Sequence, residues 1–175
     1  TALTMGKLNV VLIDLDTQGN ASTALGIEHH EGIQGTYEVL AGNSPIESLI
    51  KPSPESEGLW VLPATIDLAG AEIGLVTTPA RESRLLYALR AFTAKYSPDY
   101  VFIDCPPSLG LLTLNALVAA EEILIPIQCE YYALEGVSQL LRTINLVKGA
   151  MNDQLVLSTV LLTMYDGRTR LASQV

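Results

Sequence analysis

The sequence predicts an α/β fold with a mainly parallel, twisted sheet and helices on both faces. Four short apolar runs rich in Val, Leu and Ile recur along the chain, and segments with helical periodicity lie between them. Near-continuous apolar runs are typical of parallel strands buried on both faces. Strands that alternate with helices indicate right-handed crossovers within one sheet.

The strands are predicted from these runs and from the residues that end them. The double proline Pro106-Pro107 ends the second run, because proline cannot donate a ladder hydrogen bond. The predicted strands are 9–16 (NVVLIDLD), 99–108 (DYVFIDCPPS), 122–130 and 155–166, with a weaker strand at 59–64.

Helices are predicted between these strands at 79–96, 109–120 and 133–150. The first has Pro79 in a first-turn position and Leu85, Leu89 and Phe92 at helical spacing. The last ends with the C-terminal signal Lys148-Gly149. Residues 28–58 are less regular and predict surface loops, with short helices near 36–42 and 45–50.

Composition indicates one globular domain spanning residues 1–175. Apolar residues make up 49% of the chain and charged residues 17%. No apolar run reaches the ~18 residues of a membrane span, so we expect no stable membrane insertion. The net charge of −9 opposes overall attraction to nucleic acid. For the basic cluster Arg81, Arg84, Arg90 and Lys95, a solvated helix face is favoured over a binding surface.

Both ends of the chain resemble interrupted helices. The opening TALTMGK has the pattern of a last helical turn that ends at Gly6, and the closing RTRLASQV has the pattern of a helix start. We therefore expect the chain to be truncated at both ends.

Three carboxylates lie at or next to the carboxyl ends of predicted strands: Asp14 and Asp16 in the first, and Asp104 in the second. Ligands of open α/β sheets bind beyond the carboxyl ends of the strands. Asp16 and Asp104 together therefore predict an Mg²⁺ site, or a site where one acid activates water. For Asp14 alone, a structural role in a turn or helix cap is favoured.

The cysteines and histidines favour structural roles. Cys105 and Cys129 lie in apolar segments and are predicted to be buried, reduced thiols of a cytosolic protein. Ligation of an iron–sulfur cluster is the disfavoured alternative. His29 and His30 are adjacent and do not share a face, so a solvated loop is favoured over a metal site.

Four segments resemble the ParA/Soj-type partition ATPases, a deviant P-loop family that includes the MinD-type division-site ATPases. The segment VVLIDLDTQGNASTALG (10–26) is similar to the family's second nucleotide-site motif, with Thr17 in place of the usual proline. DYVFIDCPPSLGLLTLNAL (99–117) resembles the Walker B strand and switch. Residues 125–141 and 161–171 match further family segments, so the resemblance covers nearly the whole chain.

The resemblance implies a P-loop-type ATPase domain with ATP and Mg²⁺ as cofactors. Asp16 matches the carboxylate that the family uses for hydrolysis, near the water shell of the metal, and Asp104 matches the Walker B acid that holds Mg²⁺ through water. The remaining nucleotide-contacting positions it implies are Gln18, Gly19, Pro107 in the switch Pro106-Pro107-Ser108, Glu130 with Tyr131, and Met164 near the adenine.

The family's glycine-rich phosphate loop has no counterpart in this chain and would precede Thr1. That loop supplies backbone N–H groups and a lysine to the phosphates. We therefore expect this polypeptide alone to bind ATP weakly or not at all.

The resemblance implies an ATP-dependent switch for chromosome or plasmid partitioning. Such a protein is a homodimer when ATP-bound, binds DNA non-specifically, responds to a centromere-binding partition protein, and is cytoplasmic and nucleoid-associated. The alternatives are a MinD-like membrane-associated positioning ATPase and a non-hydrolysing pseudo-ATPase scaffold.

Overall fold

The computed structural model describes residues 1–30, 32–128 and 133–164. The chain divides into two compact units, Thr1–Ala119 and Ala120–Val175, and each is described by itself. Both contain strands and helices with mostly parallel pairing, so the predicted α/β class is confirmed. The assignment of residues 1–175 to one domain remains a prediction.

The first unit is built on a four-stranded sheet in the order β2-β3-β1-β4. These strands are β1 (Val10–Asp14), β2 (Lys51–Pro52), β3 (Leu59–Leu62) and β4 (Tyr100–Asp104). The central β1 pairs in parallel with both β3 and β4, and four of its five residues are buried. This agrees with the continuous apolar run from which it was predicted.

Seven helices are described in this unit, and several are only one or two turns long. They are α1 (Ala2–Met5), α2 (Asn20–Ala24), α3 (Thr36–Ala41), α4 (Ile46–Leu49), α5 (Ala71–Gly74), α6 (Arg84–Tyr96) and α7 (Leu111–Ala119). Two 3₁₀ turns, Ile66–Gly70 and Arg81–Ser83, precede α5 and α6.

The core of this unit forms where α3, α5, α6 and α7 meet the sheet. The predicted apolar face of α6 is confirmed, since Leu85, Leu89 and Phe92 are buried in the same cluster as Val11 and Ile13 of β1. This packing fixes the carboxyl ends of β1 and β4 relative to the helices around them.

The second unit contains β5 (Glu122–Gln128), α8 (Ala133–Ala150) and β6 (Val156–Thr163). The strands β5 and β6 pair in parallel, with an irregularity between Ile123 and Leu124. Parallel strands need a crossover, and α8 provides it, as the alternating pattern predicts. Among the described residues, no helix has both the length and the apolar character to cross a membrane.

Three local predictions are corrected. The helix predicted from Pro79 begins at Arg84, because Ala80 has a positive φ of 52° and a 3₁₀ turn intervenes. Lys51–Pro52, predicted as loop, is a short edge strand antiparallel to β3. Strands β1 and β4 end at Asp14 and Asp104, so Asp16 and Pro106-Pro107 lie in the loops beyond them.

Candidate active site

The carboxylate of Asp14 lies buried at the end of β1 and accepts three hydrogen bonds. Its Oδ1 accepts from the Asp16 N–H at 3.0 Å. Its Oδ2 accepts from the Ser22 N–H at 2.8 Å and the Ser22 Oγ–H at 2.7 Å. The side chain is 0% exposed, so these donors replace its water shell. The predicted structural role of Asp14 is therefore confirmed.

Asp14 also caps α2 from a distance. The N-cap residue of α2 is Gly19, which has no side chain to accept the first free N–H groups. Ser22 is the third residue of this helix, and its N–H is the donor that an N-cap side chain usually satisfies. The carboxylate at the end of β1 thus performs the capping that Gly19 cannot.

The same network reaches two further elements. Ser22 Oγ accepts a hydrogen bond from the Ala64 N–H, just beyond β3, at 3.2 Å. The buried hydroxyl of Thr36, at the start of α3, donates to the carbonyl oxygens of Asp14 and Pro63 at 2.9 and 3.1 Å. The ends of β1 and β3 and the starts of α2 and α3 are therefore held as one group.

Asp16 follows in a tight turn over this network and is half-buried. Its Oδ1 accepts from the Gln18 N–H at 3.0 Å, and its carbonyl accepts from the Gly19 N–H at 2.8 Å. An Asx turn of this kind orients the carboxylate through its own backbone. Gln18 is exposed, whereas Gly19 is buried with φ at 61°, the left-handed conformation that glycine adopts readily.

Asp104 is brought beside these acids by the strand register. Asp14 and Asp104 are direct partners in the parallel pairing of β1 and β4, and the Leu15 N–H donates to the Asp104 carbonyl at 2.9 Å. Burial raises the pKa of Asp104 above its usual value, and the negative charges of Asp14 and Asp16 raise it further. The two predicted metal ligands, Asp16 and Asp104, therefore lie within electrostatic reach.

The negative charge at the carboxyl ends of β1 and β4 suits a hard cation. A bound Mg²⁺, which prefers oxygen ligands and keeps several waters, would stabilise the charged form of Asp104 against the negative charges beside it. In the described part of the chain, no three His, Cys, Asp or Glu side chains converge closely enough to hold a metal ion by themselves. Water and phosphate oxygens would have to complete the coordination.

The loop after β4 carries the predicted switch. Pro107 and Ser108 are exposed there, and the Thr113 hydroxyl of α7 donates to the Ser108 carbonyl at 2.6 Å. The buried Asn115 of α7 accepts from the Leu85 N–H at 3.1 Å and donates to the Arg81 carbonyl at 2.8 Å. The switch loop is thus joined through α7 to the start of α6.

Cys105 differs from its prediction. The residue is exposed rather than buried, because it lies beyond the last residue of β4. Poor hydration of the thiol, and secondly the adjacent charge of Asp104, raise its pKa to about 12. Cys129 lies outside the described residues, and so do Glu130 and Tyr131.

Met164 lies directly after β6 in the second unit, with a positive φ of 53° and an exposed side chain. Its predicted role near the adenine remains a prediction, as does that of Glu130. The residues whose proximity is described are therefore Asp14, Asp16 and Asp104, with Gln18 and Gly19 in the same loop.

Three of the four basic residues predicted as a cluster on α6 and its preceding turn have partners within the fold, and the fourth, Arg90, is exposed. Arg81 pairs with Glu82 at 2.9 Å, Arg84 Nε donates to the Leu40 carbonyl at 2.9 Å, and Lys95 pairs with Glu47 at 3.4 Å. These partners agree with the structural interpretation of the cluster.

Several site residues carry no signal in the sequence. Ser22 is eight positions from Asp14 and Thr36 is 22 positions away, so no local spacing connects them. The Asp-x-Asp pattern after an apolar run indicates only that an acid turn follows a strand. Its hydrogen-bond partners become evident once β3, α2 and α3 are assembled.

Comparisons with known proteins agree on one group. A family model described as an AAA domain matches residues 1–157. The chain is 53% identical over 175 residues to the chromosome partitioning protein ParA of Myxococcus xanthus strain DK1622, covering 99% of this chain and 60% of that protein. It is 54% identical over 171 residues to the sporulation initiation inhibitor protein Soj of Bacillus subtilis strain 168, covering 98% and 66%.

A solved structure has the same fold. It is described as a cobyrinic acid a,c-diamide synthase from Mycobacterium smegmatis with a bound ATP analogue and magnesium, and it matches with a TM-score of 0.90 at 42% identity. The match covers 99% of this chain and 69% of that one. The chain thus spans 60% and 66% of the two curated relatives.

Proposed function

The chain belongs to the ParA/Soj-type partition ATPases, and from that premise we propose that its protein is an ATP-dependent switch for DNA partitioning. The observation that supports this best is the placement of Asp16 and Asp104 at the adjoining ends of β1 and β4. The protein would hydrolyse ATP to ADP and phosphate in the presence of Mg²⁺. Relatives matched at 53% and 54% identity are named for chromosome partitioning and sporulation control.

Asp16 and Asp104 would divide the work of this site. Asp104 would hold Mg²⁺ through water, and the ion would neutralise phosphate charge as ATP reacts. Asp16 would orient the attacking water and contribute to the ion's water shell. Its backbone-locked carboxylate supports this role, because hydrolysis depends chiefly on positioning. Gln18, Gly19, Pro107, Glu130 and Met164 are proposed nucleotide contacts.

Asp14 would act as a positioning residue. It contacts the Asp16 backbone at 3.0 Å and is itself buried, so it does not face the nucleotide. A residue that is fully satisfied by Asp16 and Ser22 holds the turn in one conformation. Asp14 would therefore support the turn, while Asp104 would serve the metal ion and Asp16 the attacking water.

The proposed cycle extends to dimerisation and DNA. ATP would join two copies, the dimer would bind DNA non-specifically in the nucleoid, and a centromere-binding protein would stimulate hydrolysis. The net charge of −9 means that DNA contact requires a local basic surface. Since Arg81, Arg84 and Lys95 have partners within the fold, we do not assign that surface to α6.

The test uses the full-length protein. Its ATP hydrolysis is measured with and without Mg²⁺, and its binding to random-sequence DNA is measured with ATP and with ADP across a salt series. We expect Mg²⁺-dependent hydrolysis and DNA binding that needs ATP and weakens with salt. ATP binding without hydrolysis would favour the pseudo-ATPase scaffold. Binding to anionic vesicles in place of DNA would favour the MinD-like alternative.

A further inference from the structure

His29 lies directly against the turn that carries Asp16. The residue is half-buried, and its Nε2 is 2.8 Å from Thr23 Oγ1. A Cβ placed on Gly19 would be 2.6 Å from His29 Cε1 and 2.7 Å from Nδ1. The imidazole therefore packs on the Gly19 backbone with no space for a side chain between them. The predicted loop is confirmed for His29, which is half-buried in it by its contacts with Gly19 and Thr23.

Gly19 connects the Asp16 turn to α2. Its N–H closes the turn onto the Asp16 carbonyl at 2.8 Å. Its own carbonyl accepts from the Thr23 N–H at 2.9 Å and from Thr23 Oγ1 at 3.1 Å. A side chain that holds Gly19 and Thr23 together therefore also holds the backbone that orients the Asp16 carboxylate.

The contacts of Thr23 Oγ1 favour a proton on Nε2 of His29. A threonine hydroxyl has one hydrogen, and the Gly19 carbonyl can only accept it. With His29 Nε2–H as the donor, each contact of Thr23 Oγ1 has its own hydrogen. Nε2 carries a proton in one neutral tautomer and in the cation, so this contact does not require a charged imidazole.

The segment between α2 and His29 is itself held by hydrogen bonds to the residue after β2 and to α2. Ser53 Oγ, which follows β2, donates to the Leu25 carbonyl at 2.8 Å. Ile27 is buried, and its N–H donates to the Ser22 carbonyl at 2.9 Å. His29 therefore reaches the Asp16 turn from a segment with its own contacts to α2 and β2.

We propose that His29 is a positioning residue for the reaction of Asp16, acting through Gly19 and Thr23. This inference rests on the proposed ATPase function and deepens it. His30→Ala provides a comparison, since the His30 imidazole is exposed and lies 3.8 Å from the Glu28 carboxylate.

The kinetic test compares full-length variants. We expect His29→Ala to lower kcat about fivefold with KM for ATP unchanged, the effect of losing one hydrogen bond worth about 1 kcal/mol. His29→Gln should retain most activity, because its amide N–H can replace Nε2–H. Thr23→Val should match His29→Ala, and the double variant should lose no more than either. An equal loss in His30→Ala, or an unchanged kcat in His29→Ala, would overturn the inference.

A second measurement is independent of ATP. In ¹⁵N-labelled full-length protein, the imidazole spectrum should show a proton on Nε2 of His29, and exchange of the Gly19 amide should accelerate about fivefold in His29→Ala. His30→Ala should leave that amide unchanged. A proton on Nδ1 alone, or unchanged exchange, would overturn the positioning role. If wild type lacks ATPase activity but these signals appear, the proposed function fails while the contact stands.

Discussion

Asp14 and Asp104 face each other in the parallel register of β1 and β4, yet their environments separate their roles. Asp14 is fully buried and satisfied by Asp16 and Ser22. Asp104 is partly exposed, and burial together with the charges of Asp14 and Asp16 raises its pKa. Asp14 therefore supports the turn, and the carboxylate of Asp104 is the one placed to bind a cation.

The first prediction concerns Asp14, which supports the turn that carries Asp16. Asp14→Ala removes the acceptor for the Asp16 and Ser22 N–H groups inside the protein, so we expect the free energy of unfolding to fall by about 3 kcal/mol. Urea denaturation measures this change. The exposed Asp153 is the control, and Asp153→Ala should change stability by less than about 0.5 kcal/mol. A loss below about 1 kcal/mol for Asp14→Ala would contradict the capping role.

The second prediction concerns the raised pKa of Asp104. Between pH 3.8, the ordinary pKa of an aspartate, and the raised pKa, the Asp104 carboxyl binds more protons in the folded state than in the unfolded state. Its contribution to the free energy of unfolding therefore falls as the pH rises through that window. Without Mg²⁺ at pH 7, Asp104→Asn should therefore have a higher Tm than wild type.

A pH series and the addition of Mg²⁺ test whether the ionised Asp104 carboxylate causes the difference in Tm. The Tm difference should disappear as the pH falls below 3.8, where both side chains are neutral. Mg²⁺ should raise the Tm of wild type and leave Asp104→Asn unchanged. A variant that is less stable than wild type at pH 7 would show that burial and the neighbouring charges do not destabilise the ionised Asp104 carboxylate.

The third prediction uses the close contact between Gly19 and His29. Gly19→Ala places a methyl group against the imidazole and adds the strain of a positive φ, so we expect a loss of about 2–3 kcal/mol in urea denaturation. In a His29→Ala background, about 1 kcal/mol of strain should remain.

Gly32 is the matched control for this pair, because its φ is 85° and nothing lies within 4 Å of a Cβ there. Gly32→Ala should cost about 1 kcal/mol with or without His29. If His29→Ala fails to relieve Gly19→Ala, the imidazole does not pack where the structure places it.

The fourth prediction concerns the reactivity of Cys105. Its raised pKa of about 12 leaves little thiolate at pH 8.5, so alkylation by iodoacetamide should be at least roughly tenfold slower than for a free thiol, even though a more basic thiolate is more nucleophilic. Mass spectrometry of the modified peptide measures the rate. Asp104→Asn should accelerate it, because that charge is the second cause of the shift. Because Cys105 is exposed, access of the reagent does not limit the reaction. Alkylation at the rate of an ordinary exposed thiol would therefore contradict the raised pKa.

The sequence predicted the parts of the fold that repeat simple patterns. The apolar runs identified β1 and β4, and the spacing of Leu85, Leu89 and Phe92 identified the buried face of α6. Placing acids at the ends of two parallel strands was enough to predict that Asp16 and Asp104 lie close together.

Contacts between distant segments could not be predicted in this way. The start of α6 at Arg84 depends on Asn115, whose side chain accepts from the Leu85 N–H across 30 positions of sequence. The same holds for Ser22 beneath Asp14 and for His29 against Gly19. Hydrogen bonds of this kind follow from the assembled fold and have no local periodicity.

Asp16→Ala in the full-length protein tests the central claim most directly. Equilibrium binding of ATP–Mg²⁺ and single-turnover hydrolysis are measured on wild type and variant in parallel. We predict that the variant keeps ATP binding within a few-fold and loses hydrolysis by at least roughly 10²-fold, because Asp16 serves the reacting water. A variant that hydrolyses ATP at the wild-type rate would contradict the assignment of Asp16.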